Sequence, residues 1–366
     1  MILEDLIREK LKDLVFLELK NSTKIKDILL NEGFPLPINL NTLIGGIKND
    51  EFNEEININR INEGIVFLLG IDPDFKYSNQ YLDIIKKTTN DIKNYLIYLS
   101  ELSIKNNDLI SSYIYLRNYE LYLDFDYELD FMINNLLENI YNKYLNDLED
   151  SENILKDIIN TYEKLAYEYK YSLSFYRLGF INKAINNYLK SKIYFEKFLQ
   201  ENSINLELKD EVREELKEIE DYSNIESAET LLNYGKSEEA YHLLKKVSTL
   251  YPNKSYLYYL LSLSETKLGL LDIALEHIDK ALTYEETEMY YNQKALILIN
   301  LSQSEKAVLV YLEGIEFKND SYLLNYNLGI LLYNLGKKES FIYLKKAYQL
   351  NPDEKLLSLI NTEKAD

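Results

Sequence analysis

The sequence predicts an all-α protein: a solenoid of antiparallel helix hairpins, preceded by a non-repeating helical segment that caps its N-terminal end. Three observations carry that expectation. Turn-forming and small residues return about every 34 residues along the C-terminal half, the period of a helical repeat. Apolar residues inside each unit fall at helical rather than alternating spacing. The 366-residue chain is 46% hydrophobic and 28% charged, a composition that excludes wholesale disorder and suits an extended array as well as one large core.

The interval is seen first in "LNYGKSEEAYHLLKKVSTLYPN", which begins at Leu232. Gly235, Ala240 and Val247 are followed by Gly269, Ala274 and Ala281, then by Ser302, Ala307 and Gly314, then by Gly336, Ser340 and Ala347. Glycine at 235, 269 and 336 fits the end of a first helix, where the chain turns through the left-handed region. Ala240, Ala274, Ala307 and Ser340 fall one helical turn into a second helix, where small side chains let two helix backbones approach. Leu244, Ile278, Tyr311 and Leu344 follow on the same stripe and supply apolar mass. Pro252 and Pro352 are expected to stop the second helix before the next hairpin begins.

These units resemble tetratricopeptide repeats. Several constrained positions recur together over residues 221–354, and "YNLGILLYNLG" from Tyr326 is close to the family's first-helix pattern. Tyr258 and Tyr291 stand in its large aromatic position, while Glu265 replaces an aromatic. The resemblance implies a right-handed superhelical solenoid whose first helices face a concave, peptide-binding side. It places Tyr176, Tyr259, Asn292 and Tyr326 in one inner row and Phe180, Leu263, Leu296 and Ile330 in the next. Tyrosine suits such a role because it offers apolar area and a hydroxyl at little entropic cost. Relatives that grip chaperone C-termini use cations on this surface, and the row through Tyr259, Asn292 and Tyr326 has none, which argues against that subclass.

Upstream the pattern weakens. "FYRLGFINKAINNYLKSKIYFEKFLQEN" from Phe175 fits a further unit, with Leu178 and Gly179 on its first helix, Asn186 and Asn187 at the turn, and Ser191, Phe195 and Phe198 on the second. A more degenerate unit starts at Tyr95, turns at Asn106–Asn107 and uses Ser112 as its close contact. Two extended helices are expected over 127–171, and residues before 233 should lengthen a first helix. Helices are expected near 2–20, 23–32, 56–70 and from 78 onward, with "GFPLPINLN" breaking them. The organisation predicted is therefore 1–92 non-repeat, 93–171 degenerate hairpins, 172–354 repeats, and 355–366 a capping helix and tail, with Asp353 as its N-cap and Leu356, Leu357 and Ile360 on one side.

Catalytic, metal and cofactor sites find no support. There is no cysteine, and the two histidines, His242 and His277, are expected on the outer face of second helices. "LIGG" at 43–46 lacks the residues that complete a phosphate loop. With 61 acidic and 41 basic residues the net charge is −20, which repels nucleic acid and favours a neutral or basic protein or peptide partner. No stretch approaches the roughly 20 apolar residues of a membrane span. The N-terminal stretch "MILEDLIREKLKDLVFLELK" has no basic leader, so a cytoplasmic location is expected. Abundant Asn, Ile, Lys and Tyr suggest AT-rich codons and a bacterial source. The expected function is a non-enzymatic protein- or peptide-binding scaffold. The alternative is a peptide-responsive cytoplasmic regulator with an N-terminal effector segment, since some Gram-positive regulators resemble this layout.

Overall fold

The computed structural model describes residues 3–40, 43–44, 58–147, 151–201 and 205–361. Gly45 and Gly46 of the "LIGG" stretch, the starts of the helices expected at 2 and 56, and the tail from 362 lie outside the described residues. The chain divides into two compact units, 1–181 and 182–366.

The first unit opens with α1 (Leu3–Glu9) and a 3-10 turn, followed by strands β1 (Leu14–Glu18), β2 (Thr23–Ile25), β3 (Ile28–Leu30) and β4 (Pro35–Asn39). β1 pairs with β4 and β2 with β3, both antiparallel. The helices expected over 2–20 and 23–32 are thus corrected: α1 stops at Glu9, and 23–30 form a hairpin. The physical reason is local. "LVFLE" alternates in burial along a strand, and Lys26 adopts a left-handed φ of 54° between β2 and β3, a hairpin-turn conformation that no helix accommodates. Pro35 and Pro37, read as breakers, are members of β4.

The rest of the unit is helical: α2 (Ile58–Ile71), α3 (Ser78–Thr88), α4 (Ile92–Lys105), α5 (Leu109–Leu116), α6 (Tyr127–Ile140), α7 (Ser151–Tyr167) and α8 (Leu173–Ala184), inside which the division into units falls. One hydrophobic core runs from Ile7 to Leu145 and includes Leu30, Leu36, Phe67, Tyr81 and Ile114. The 1–92 segment therefore shares its core with the degenerate hairpins. Apolar burial of this kind is the dominant stabilising term.

The second unit continues with α9 (Tyr188–Gln200), the 28-residue α10 (Leu206–Asn233), α11 (Ser237–Leu244), α12 (Lys254–Lys267), α13 (Leu271–Tyr284), α14 (Glu288–Asn300), α15 (Ser304–Phe317), α16 (Tyr322–Asn334), α17 (Ser340–Leu350) and α18 (Glu354–Asn361). Helix α10 has the lengthened form the sequence suggested. All-α hairpins in series make up this unit.

Each hairpin turns by one device. Asn107, Asn186, Gly235, Gly269, Ser302 and Gly336 all have φ between 58° and 78°. At every one, the following residue's N–H bonds the carbonyl five back: Asp108 to Ser103, Asn187 to Asn182, Lys236 to Leu231, Leu270 to Glu265, Gln303 to Leu298 and Lys337 to Leu332, at 2.8–2.9 Å. This is the Schellman closure, which satisfies the last helical carbonyls with backbone alone.

The small residues sit where their role requires. Ala240, Ala274, Ala307 and Ser340 are fully buried, as are Ile278, Tyr311 and Leu344. A β-carbon on Gly329 would lie 2.6 Å from Leu344 Cδ2 and 3.1 Å from the Leu344 backbone nitrogen, so α16 and α17 meet nearly backbone to backbone. Replacing Ala274 with Trp is expected to cost at least about 1–3 kcal/mol through overpacking; thermal denaturation checks it, and an unshifted midpoint would show that the contact is looser than described.

Two details differ from expectation. α11 ends at Leu244, well before Pro252, and beyond its end the Ser248 N–H donates to Asp221 of α10 at 3.0 Å. In α18, Leu356 and Ile360 are buried but Leu357 is 39% exposed, since adjacent residues lie about 100° apart around a helix. Asp353 does accept the Lys355 N–H at 3.1 Å, as an N-cap should.

Candidate peptide-docking site

The first helices of the second unit carry the residues of interest at equivalent heights. Tyr259 and Leu263 are on α12, Asn292 and Leu296 on α14, and Tyr326 and Ile330 on α16. All are partly open; Leu296 is the most exposed, at 39%. By contrast Leu257, Tyr290 and Leu324, at equivalent heights in the same helices, are buried. Tyr176 and Phe180 lie on the part of α8 that belongs to the first unit, half-buried, with ring centroids 4.8 Å apart in an edge-on arrangement.

Contacts between neighbouring repeats hold these rows. The Tyr259 ring stands 5.0 Å from Tyr290 of the next hairpin and 6.2 Å from Tyr256. Burial and the Tyr290 phenol push the Tyr259 hydroxyl pKa up. Tyr256 donates to Glu229, and burial followed by that carboxylate raises its phenol pKa beyond the normal range. The Asn292 oxygen accepts from Asn327 Nδ2 at 2.6 Å and from the Tyr311 hydroxyl at 3.3 Å. Asn292 therefore offers an incoming chain only its amide hydrogens. Gln293 repeats the hook one hairpin earlier, donating to Thr266 Oγ1 at 3.0 Å. Tyr326 stacks on Tyr322 at 5.6 Å, and both pack with Ile330 on the cluster of Leu344, Ala347, Leu356 and Ile360.

Tyr256, Tyr290 and Asn327 were not singled out from the sequence. The repeat period contained part of the signal, since Tyr290 occupies the core position of Leu257 and Leu324. The polar hooks of Gln293 and Asn327 could not be read from spacing, because each needs a partner on the preceding first helix.

The histidines separate. His242 is exposed, as expected. His277 is not on an open outer face: its Nδ1 lies 2.7 and 2.9 Å from the two carboxylate oxygens of Glu265, which is fully buried. The Tyr258 ring stacks on the imidazole at 5.6 Å and 18°. The correction has a plain cause. Glu265 stands where the repeat pattern has an aromatic, and a buried carboxylate must find a partner; His277, twelve residues on, reaches it from α13. Among the described residues, no group of three or more His, Cys, Asp or Glu could hold a metal ion.

The sequence is 25% identical over 206 residues to TPR repeat-containing protein MJ1428 of Methanocaldococcus jannaschii, covering 52% of this chain and 36% of that protein. The helix hairpins of residues 221–354 are similar to tetratricopeptide repeats. The match spans about a third of that curated relative's length. Among solved structures, MamA is 18% identical with a TM-score of 0.35, covering 47% of this chain and 94% of its own. YrrB, described as a TPR protein with an unusual peptide-binding site, is 17% identical with a TM-score of 0.37, covering 55% and 97%. No family model matches the sequence. No helix among the described residues is long and apolar enough to cross a membrane.

Proposed function

We propose that this chain is a non-enzymatic, cytoplasmic scaffold whose tetratricopeptide array docks a segment of a partner protein on its first-helix face. The observation that carries the reading is the recurrence of partly open positions, Tyr259, Asn292 and Tyr326 beside Leu263, Leu296 and Ile330, in three successive first helices, next to buried positions such as Leu257, Tyr290 and Leu324. Aromatic and aliphatic area with a few amide and hydroxyl groups is what a peptide contact needs, and it supplies no nucleophile or acid–base pair. The net charge of −20 favours a neutral or basic segment and disfavours nucleic acid and anionic membrane surfaces.

Quantitative pull-down of the full-length protein from its native lysate tests this. The double variant Tyr259→Ala, Tyr326→Ala is expected to recover about tenfold less of the specific partner, the loss that follows from truncating one or two aromatic anchors. Unchanged recovery by a variant with native circular dichroism rejects the reading.

A further inference from the structure

Among the described residues, the β1–β4 sheet of the first unit has one covered edge and one bare edge. In the β1–β4 ladder, Val15 faces Ile38, Phe16 faces Pro37, Leu17 faces Leu36 and Glu18 faces Pro35. Proline has no N–H to donate, so the pairs at Phe16 and Glu18 are the non-hydrogen-bonded ones, and the ladder runs through Val15 and Leu17. The continuation agrees: the Leu19 N–H donates to the Phe34 carbonyl, and the Leu19 carbonyl accepts from the Gly33 N–H. Leu14, Phe16 and Glu18 therefore direct their N–H and C=O groups away from β4.

On the β4 side, the outward carbonyls of Pro35 and Pro37 are covered. The Tyr81 hydroxyl donates to Pro35 O at 2.7 Å. Pro37 O lies so close to Gly64 of α2 that a β-carbon there would collide with it. Among the described residues β1 has no such cover: its sheet has two strands, and no backbone hydrogen bond joins Phe16 or Glu18 to a turn, loop or helix. Edge strands are normally protected by proline, an inward charge or a bulge. "LVFLE" has none of these, and Phe16 is 44% exposed. Its ring stacks on Phe75 at 5.8 Å and 14°, making an aromatic ledge beside the edge. Glu18 is exposed and has no ion-pair partner among the described residues.

We propose that β1 is a docking edge for an extended, basic segment of a partner protein, which joins it as a further strand. The outward backbone groups of Phe16 and Glu18 supply the ladder. The side chain beside Phe16 rests on the aromatic ledge, and a Lys or Arg across from Glu18 forms a cross-strand pair. Charge decides between occupants: at −20 the chain attracts a basic strand and repels a second copy carrying the same charge. The site uses none of the residues of the first-helix rows.

The test pans the full-length protein against a random peptide library displayed on phage, then measures the enriched peptides by fluorescence anisotropy. Enriched peptides alternate apolar with basic residues. Their affinity falls about tenfold with Phe16→Pro, which removes an outward N–H and leaves the β1–β4 ladder intact. Glu18→Lys, which cannot break the backbone, weakens them too, while His242→Ala, at an exposed position in neither site, leaves binding unchanged. Peptides that bind both β1 variants as well as the wild type overturn the proposal, as does a library that yields none preferring wild type over Phe16→Pro. A wild-type dimer dispersed by Phe16→Pro would give the edge to a second copy and overturn it equally.

Discussion

Replacing His277 with Ala is expected to destabilise the second unit by about 3–5 kcal/mol, the usual cost of leaving a buried charge without its partner. Glu265 is fully buried on α12, and His277 Nδ1 holds both of its oxygens. Removing the imidazole leaves the carboxylate with no solvent to turn to, and it strips the face against which Tyr258 stacks. The size of the effect belongs to the orphaned charge and not to the pair. The double variant Glu265→Leu, His277→Leu should accordingly recover most of the loss, since replacing both partners of a buried hydrogen bond with apolar groups is often nearly neutral. Glu265→Gln should cost less than His277→Ala, because an amide still meets the ring nitrogen. Amide hydrogen exchange across α12 and α13, with urea denaturation of the whole chain, reads all three. If His277→Ala unfolds with the wild type and the double variant fares worse, the carboxylate is hydrated in solution and the account of its burial fails.

The repeat architecture was legible because its constraints are local and periodic. A left-handed residue at the turn, a small residue one helical turn later and an apolar stripe are each set by one hairpin, and the 34-residue interval repeats them. The turns at Asn107 and Asn186 were readable for the same reason, since asparagine tolerates the left-handed region better than other residues with a side chain. The first forty residues were not legible as strands. "LVFLELK" and "TKIKDILL" are apolar at spacings that suit a short helix as well as a strand, and pairing with β4 across the intervening chain decides between them. Pro35 and Pro37 carried a true signal, a broken helix, but the stronger reading was an edge strand whose prolines face away from their partner. The candidate rows were what the repeat resemblance implied, whereas their hydrogen bonds were not. Asn292 was placed beside Tyr259 and Tyr326 by register alone, and its engagement with Asn327 depends on how neighbouring hairpins stack. His277 shows the opposite failure. Its helical position suggested solvent, and only the substitution at Glu265, already anomalous in the sequence, pointed to a buried partner.

In the first unit, Arg177→Ala is expected to cost about 3–5 kcal/mol by the same logic, with a different geometry behind it. Glu138 on α6 is nearly buried, and three donors converge on it from two other helices. The Arg177 guanidinium on α8 grips it through both oxygens, Nε to Oε2 at 3.0 Å and Nη2 to Oε1 at 2.5 Å. The Tyr162 hydroxyl on α7 donates to Oε2 at 2.9 Å. Burial opposes the Arg177 charge, but the hydrogen bonds and charge of Glu138 outweigh it and raise the guanidinium pKa. Burial, then Glu138, drives the Tyr162 phenol well above its ordinary value, so it stays a donor. One carboxylate thus ties three consecutive helices in a region where the sequence repeat is weakest. Arg177→Lys should recover only part of the loss, because an ammonium cannot reproduce the two-pronged contact. Tyr162→Phe should cost about 1 kcal/mol, one hydrogen bond lost while the charge pair remains. The ordering Arg177→Ala, Arg177→Lys, Tyr162→Phe, read from thermal denaturation and from exchange protection of α6 to α8, is the signature of the geometry. If Arg177→Ala proves no worse than Tyr162→Phe, water has replaced the guanidinium at its exposed side and the carboxylate is not the tie that holds these helices.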